Sequence, residues 1–291
     1  MARYLERNRN TLNMKIGFLG DLFVENLQGG GELNDSVLID LLQKEYDLTK
    51  HWCSRANVES LKKEDIFIVS NFVTLPLHIR DWLSDKKYII YEHDHKYVKA
   101  RDVSKYKNFD IPEDHITHRE FYYKADRVIV LSKICKEILE KNNISNRVHN
   151  IGCSLWFDKT LDHLSKLNKT EKKFKFGVVN SENPIKGLDM SLEYCKSNNI
   201  EPHLIKSNNY YNFLTQLSEC ENLIFFPQVL ETFSRLASEA KMLNCSLITT
   251  PNMLGFASEN YSHLKGDELI ERIREQKNKA LNMFGNWCNA K

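Results

Sequence analysis

Short apolar runs alternate along the chain with longer stretches in which apolar residues recur every three to four positions. That alternation predicts parallel strands joined by crossover helices. In the first half, MKIGFLG (Met14–Gly20), IFIVSN (Ile66–Asn71), YIIYEH (Tyr88–His93), RVIVLS (Arg127–Ser132) and RVHNIG (Arg147–Gly152) read as strands, and LNDSVLIDLLQKE and KICKEILEKN as helices between them. The polar, lysine-rich SKLNKTEKK, Ser165–Lys173, interrupts the pattern and has the composition of a solvated linker. The alternation then restarts. FKFGVVN (Phe174–Asn180), PHLIK (Pro202–Lys206), NLIFFP (Asn222–Pro227) and SLITT (Ser246–Thr250) read as strands, with GLDMSLEYCKSN, YNFLTQLSEC and FSRLASEAKMLN as helices. A charged helix, GDELIERIREQKNKALNMF, closes the chain. The expected fold class is α/β, with two consecutive doubly wound domains divided at the lysine-rich segment.

Composition changes this picture little. A chain of 291 residues with 42% hydrophobic and 27% charged positions is an ordinary globular chain with room for two cores. Lys plus Arg (41) nearly balance Asp plus Glu (39), so no overall field calls for a nucleic acid or a membrane surface. Seven cysteines, Cys53, Cys135, Cys153, Cys195, Cys220, Cys245 and Cys288, are scattered without the spacing of a zinc site and read as reduced, mostly buried thiols. MARYLERNRNTLN lacks the apolar core of a secretion signal, and no apolar run is long enough to span a bilayer. The expected location is the cytoplasm.

Open parallel sheets bind ligands beyond the carboxyl ends of their strands, so polar motifs that follow strands are the candidates for chemistry. Gly29, Gly30 and Gly31 open a helix after the first strand, where free N–H groups can approach a ligand; a plain glycine-rich turn is the alternative. YEHDHKY sets Glu92, His93, Asp94 and His95 at a strand end. Neighbours on an extended chain point to opposite faces, so a metal there needs a further ligand, and a polar wall of an active site or a structural histidine fits better. No metal is expected. Lys186 and Gly187 precede a helix that follows a strand, a place for a phosphate or for an ordinary surface lysine.

ETFSRLASEA places Glu231 and Glu239 eight positions apart. If the segment is helical throughout, eight residues turn about 800°, or about 80° net, and rise about 12 Å, so both carboxylates can face one ligand of the length of a sugar nucleotide. Two solvated glutamates are the alternative.

In order, these pieces resemble the GT-B glycosyltransferases, most closely the retaining family-four type with its E-x7-E block, over Met14 to about Gly266. Glu231, Phe233, Glu239, Ala240, SLITT, Gly255 and Glu259 stand at that block's positions. The resemblance implies two Rossmann-like domains facing a central cleft: residues 1–165 for the acceptor, residues 174–270 for the nucleotide sugar, and 271–291 as a helix packing back towards the first domain. It implies transfer of a hexose from a nucleotide sugar, UDP-sugar favoured, to a hydroxyl, without a metal and without a further cofactor, by a monomer or dimer. Glu231, Lys186, His93 and Asp94 then take the catalytic positions, Glu231 meeting the donor sugar and Lys186 the diphosphate. Gly30, Gly31, Gly187, Phe233, Ser234 and Glu239 join the donor site, Glu239 at the ribose.

The sequence also departs from that family. Asn180 ends the strand where an arginine is expected, with Lys206 or Arg235 as substitutes for the missing cation; Ser234 replaces a common glycine; and Asn244-Cys245 replaces the usual glycine before the last strand. Such changes fit a divergent branch, for instance compact viral enzymes. HDHKYVKARDVSKYK, with His95, Lys96, Tyr97, Lys99 and Arg101 and the further cations Lys105 and Lys107, is the expected acceptor loop, in the plainer reading a solvated loop beside a glycan or lipid-linked acceptor. Its cations and tyrosines also suit DNA bearing a 5-hydroxymethylated base, flipped from the stack. A nucleotide-sugar-binding module without turnover is the rival reading. A Rossmann oxidoreductase is disfavoured, because neither first strand is followed by GxGxxG.

Overall fold

The computed structural model describes residues 14–290. The N-terminal segment read above for a secretion signal lies outside the described residues. Contacts divide the chain into two units, residues 1–155 with 276–291, and residues 156–275.

In unit 1 the strands are β1 (Lys15–Gly20), β2 (Asp47–Trp52), β3 (Ile66–Val69), β4 (Tyr88–Tyr91), β5 (Arg127–Val130) and β6 (Val148–Asn150), and its helices are α1 (Gly30–Leu42), α2 (Val58–Leu61), α3 (Leu77–Leu83), α4 (Arg119–Lys124) and α5 (Lys133–Lys141). The sheet order is β2-β1-β3-β4-β5-β6, every pair parallel. β3 and β4 are buried along their whole length, as expected for strands covered by helices on both faces. The edge strand β2, DLTKHW, was not among the expected strands. It lies at the sheet's edge with only Leu48 fully buried, so its residues lack the apolar run that marks the others.

Unit 2 begins with α6 (Asp158–Leu167) and alternates β7 (Phe174–Val179), α7 (Leu188–Ser197), β8 (His203–Ile205), α8 (Tyr210–Ser218), β9 (Cys220–Ile224), α9 (Arg235–Met242) and β10 (Ser246–Ile248). The order β10-β9-β7-β8 is again parallel throughout. Helix α10 (Gly266–Asn289) starts in unit 2 and ends in unit 1. Its last turns pack on the first sheet: Phe284 meets the edge of Tyr91, and Lys87 Nζ donates to the carbonyl of Trp287 at 3.1 Å.

The division of the chain falls before Ser165–Lys173, between Leu155 and Trp156. The cause is α6, which packs on α8 within unit 2: the Thr160 and Tyr211 hydroxyls lie 3.4 Å apart, and His163 meets the edge of the Tyr211 ring. Expected strands also run too far at their carboxyl ends. Asn71, His93, Asn180, Lys206 and Phe225 to Pro227 leave the ladder, which puts these polar positions on loops at the sheet edge.

In both units the second strand lies on one side of the first and the third on the other. The chain therefore switches direction between β1 and β3, and between β7 and β9. Those two crevices are where an open α/β sheet accepts a ligand.

Candidate functional site

The unit 2 crevice is built by the loops after β7 and β9. Asn183 Oδ1 accepts from Ile185 N at 3.2 Å and caps the short turn Pro184–Lys186. Gly187 follows at φ 66°, and a Cβ there would sit 1.8 Å from the Phe226 carbonyl oxygen, so glycine is required by conformation and by space. Gln228 N donates to Ile185 O at 2.8 Å and ties the two loops together. Across this junction Lys186 Nζ donates to Glu231 Oε1 at 2.6 Å, with the lysine side chain 34% exposed and the glutamate 11%.

Glu231 is not helical. It pairs with Leu254, its N–H donating to Met253 O at 3.0 Å and its carbonyl accepting from Gly255 N at 2.8 Å. The helix of this stretch starts only at Arg235. The rotation and rise expected for a continuous helix therefore do not relate the two glutamates: one sits on a loop and the other inside α9.

Ser234, the cap of α9, takes φ 74°, which explains why glycine suits this position; its Oγ accepts from Ala237 N at 3.4 Å. The Phe233 ring is buried against Trp156 and Phe256, so its side chain belongs to the core and not, as expected, to the donor surface. Glu239 is 2% exposed, and its Oε1 accepts from Trp156 Nε1 at 2.8 Å and from the Tyr210 hydroxyl at 2.5 Å. Arg235 lies 3.4 Å from the same oxygen, with its guanidinium 4.3 Å from the Trp156 ring centroid. Burial, and then the Glu239 charge, push the Tyr210 phenol well above its ordinary range, so it stays a donor.

Beside this crevice, at the carboxyl ends of β7 and β8, lies a cavity of about 400 Å³ lined by Asn180, Glu182, Asn183, Lys206 and Asn208, with Phe213 among its apolar walls. Lys206 Nζ rests 3.3 Å from Glu182 Oε1.

In unit 1 the Asp21 carboxylate ties the crevice loops, accepting from Val73 N at 2.8 Å, Thr74 N at 2.9 Å and the Thr74 hydroxyl at 2.6 Å. Gly30 and Gly31 form the first turn of α1, and a Cβ on Gly31 would lie 3.8 Å from His93 Cβ, so the glycine turn and the histidine meet. His93 Nε2 is 2.8 Å from Asp35 Oδ1, and Asp35 Oδ2 accepts from the Ser70 hydroxyl at 2.5 Å. Burial, with Asp35 and Asp21 nearby, raises the Glu32 carboxyl above its ordinary value against its own backbone hydrogen bond.

Sequence reading missed Asp21, Asp35 and Ser70. A signal for Asp35 existed: it stands three, four and seven positions before Leu38, Ile39 and Leu42, which makes it an acid on the apolar face of α1.

The expected acceptor loop needs correction. His95 and Lys96 are each 2% exposed and Tyr97 is fully buried, so none of the three can receive an acceptor from solvent. Lys96 Nζ donates to Glu92 Oε1 at 2.8 Å, to Asp94 Oδ1 at 3.2 Å and to Asn71 Oδ1 at 3.3 Å, while the Tyr122 hydroxyl donates to Glu92 Oε2. Burial alone would raise the Glu92 carboxyl; the Lys96 charge and the bonds from Lys96 and Tyr122 outweigh it and hold the group low. His95 Nδ1 and the Tyr97 hydroxyl are 2.9 Å apart. Asp94 is also paired with Arg101; of the expected cations Lys96 is buried, whereas Lys99, Arg101, Lys105 and Lys107 face solvent.

Among the described residues no three His, Cys, Asp or Glu side chains gather as a metal site, and no helix is long and apolar enough to cross a membrane. All seven cysteines are buried.

No protein-family model and no curated protein matches the sequence. Solved structures do. Sucrose-phosphate synthase from Thermosynechococcus elongatus aligns over 94% of this chain and 98% of its own at 12% identity, with a TM-score of 0.64. Anabaena HepE, solved with UDP and glucose, aligns over 94% and 100% at 12% identity, with a TM-score of 0.50. An alpha-glucosyltransferase solved with UDP and DNA aligns over 92% of each chain at 12% identity, with a TM-score of 0.48. The first two likenesses, with the two parallel sheets and their matching strand orders, show that the chain has the GT-B α/β fold.

Proposed function

We propose that the protein is a nucleotide-sugar-dependent glycosyltransferase that moves a hexose, with retention and without a metal, from a UDP-sugar to a hydroxyl of a glycan or another polymer. The observation that carries this reading is the Lys186–Glu231 pair, set on the two loops of the unit 2 crevice and joined at 2.6 Å. A diphosphate entering there takes over Lys186, and the N-termini of α7 and α9 add their positive ends. Glu231 is then released to accept hydrogen bonds from sugar hydroxyls. The bond from the anomeric carbon to the β-phosphate oxygen breaks with its electron pair leaving on the diphosphate. A bond to the acceptor oxygen forms, and the acceptor proton passes to the departing phosphate. Unit 1 is left for the acceptor. In its loop past β4 Lys96 is spent on Glu92 and Asp94 while Lys99, Lys105 and Lys107 are exposed, and the overall net charge of only +2 favours a glycan over DNA.

The test is incubation of the full chain with UDP-glucose labelled in the sugar, followed by measurement of free glucose and UDP. Slow transfer to water is expected, and Lys186→Ala and Glu231→Ala should each lower it by about 10²–10³-fold, the scale for loss of one preorganised charge contact. Binding of UDP-glucose without any UDP release would favour the non-catalytic module. Turnover in either variant equal to that of the parent would remove both residues from the reaction.

A further inference from the structure

A diphosphate brings more than one negative charge, whereas Lys186 at the unit 2 crevice is already balanced by Glu231. Further positive charge is needed at the carboxyl edge of this sheet for a diphosphate to be held without a net electrostatic penalty. Lys206 and Arg235 are the two cations that the sequence offers. Arg235 is enclosed: its guanidinium lies over Trp156 and beside Glu239, and its side chain is only 10% exposed. Moving it would uncover a buried carboxylate.

Lys206 is placed differently. Val179 and Ile205 are ladder partners, and Asn180 N donates to Ile205 O at 2.9 Å, so the residues ending β7 and β8 stand side by side. Lys206 and Asn180 line the same 400 Å³ cavity together with Asn183, whose carbonyl accepts from Lys186 N at 3.0 Å. The cavity thus adjoins the turn that carries Lys186. The Lys206 ammonium is held by Glu182 at 3.3 Å, with side chains 56% and 91% exposed. Such exposed pairs contribute little and exchange readily for a better anion.

We infer that Lys206 is a phosphate-binding residue of this site, its ammonium passing from Glu182 to the diphosphate and supplying the charge that Asn180, at the adjoining strand end, does not. The inference rests on the nucleotide-sugar reading above, and one experiment separates the two. UDP and inorganic pyrophosphate are titrated calorimetrically into the parent chain and into the variants Lys206→Met, Lys206→Met/Asn180→Arg and Glu182→Gln, at two salt concentrations.

Lys206→Met should weaken both ligands by about tenfold, the lower end for a charge-assisted hydrogen bond, and flatten the salt dependence. Arginine at position 180 should restore most of that loss, which a merely structural role for Lys206 would not allow. Glu182→Gln should tighten both ligands about two- to fivefold by removing the competing carboxylate. Parent-like binding by Lys206→Met overturns the inference and leaves the nucleotide-sugar reading standing. Lys206-dependent binding of pyrophosphate without binding of UDP keeps the anion site and removes the donor. No binding of either ligand by the parent overturns both.

Discussion

The two crevices of this chain have the same strand order around them and opposite treatment of charge. In unit 1 the polar groups past β4 are sealed against one another: Glu92 with Lys96 and Tyr122, and Asp35 with His93 and Ser70. In unit 2 the Lys186–Glu231 pair stays half open, and a cavity lies beside it. A charge pair withdrawn from water fixes its loop and is costly to part, whereas one that water still reaches can change partners. The fold supplies two equivalent places for a ligand, and the charge pairs at them differ in how far water reaches them.

The largest effect should come from breaking the sealed side. Lys96→Met leaves Glu92 buried without its cation and should cost unit 1 about 3–5 kcal/mol, read by urea denaturation. Lys186→Met should cost far less by the same measurement. Equal losses would erase the distinction between the crevices. On the open side, Gly187→Ala must place a methyl against the Phe226 carbonyl at positive φ. It should cost about 3 kcal/mol or more and weaken UDP binding with it, because the Lys186 turn must shift.

A smaller effect of opposite sign is expected at Ser234. Glycine there relieves the left-handed backbone at φ 74° and loses only a long cap hydrogen bond of 3.4 Å. Ser234→Gly should gain about 0.5–1 kcal/mol, seen as a higher urea midpoint, and an unchanged or lower midpoint would show that the cap outweighs the strain. The smallest effect concerns pH. Glu32 has a raised carboxyl pKa in the folded chain, so the folded state holds its proton more tightly than the unfolded state does. Its stabilisation is complete below the ordinary glutamate value and is lost as pH rises through the raised one. Glu32→Gln should remove that part of the decline, so the stability difference between variant and parent should grow in the variant's favour from pH 4 to pH 7.

Legibility in the sequence followed the same division. Strands with uninterrupted apolar runs, such as IFIV and YIIY, declare themselves because both faces are buried, while DLTKHW does not because it is an edge. Lys186, Gly187 and Glu231 could be read as separate pieces that follow strands, and the structure adds their junction through Ile185 and Gln228. The loop HDHKY misled because its polar letters suggest exposure. Its burial depends on Tyr122 and Asn71, which come from other elements and leave no mark in the local pattern. Glu239 was legible as a paired acid, but its enclosure by Trp156 and Tyr210 arises only from tertiary packing.

The most direct test of the contrast between the crevices is peptide-resolved amide hydrogen exchange of the full chain with and without saturating UDP-glucose. Slowed exchange is expected in residues 180–187 and 225–234, the loops that carry Lys186 and Glu231, and at the β8 end near Lys206, with residues 92–101 unchanged because their bonds are already closed. Protection confined to the unit 1 loops, residues 21–31 and 70–76, with none around Lys186 and Glu231, would contradict the assignment of the donor to unit 2.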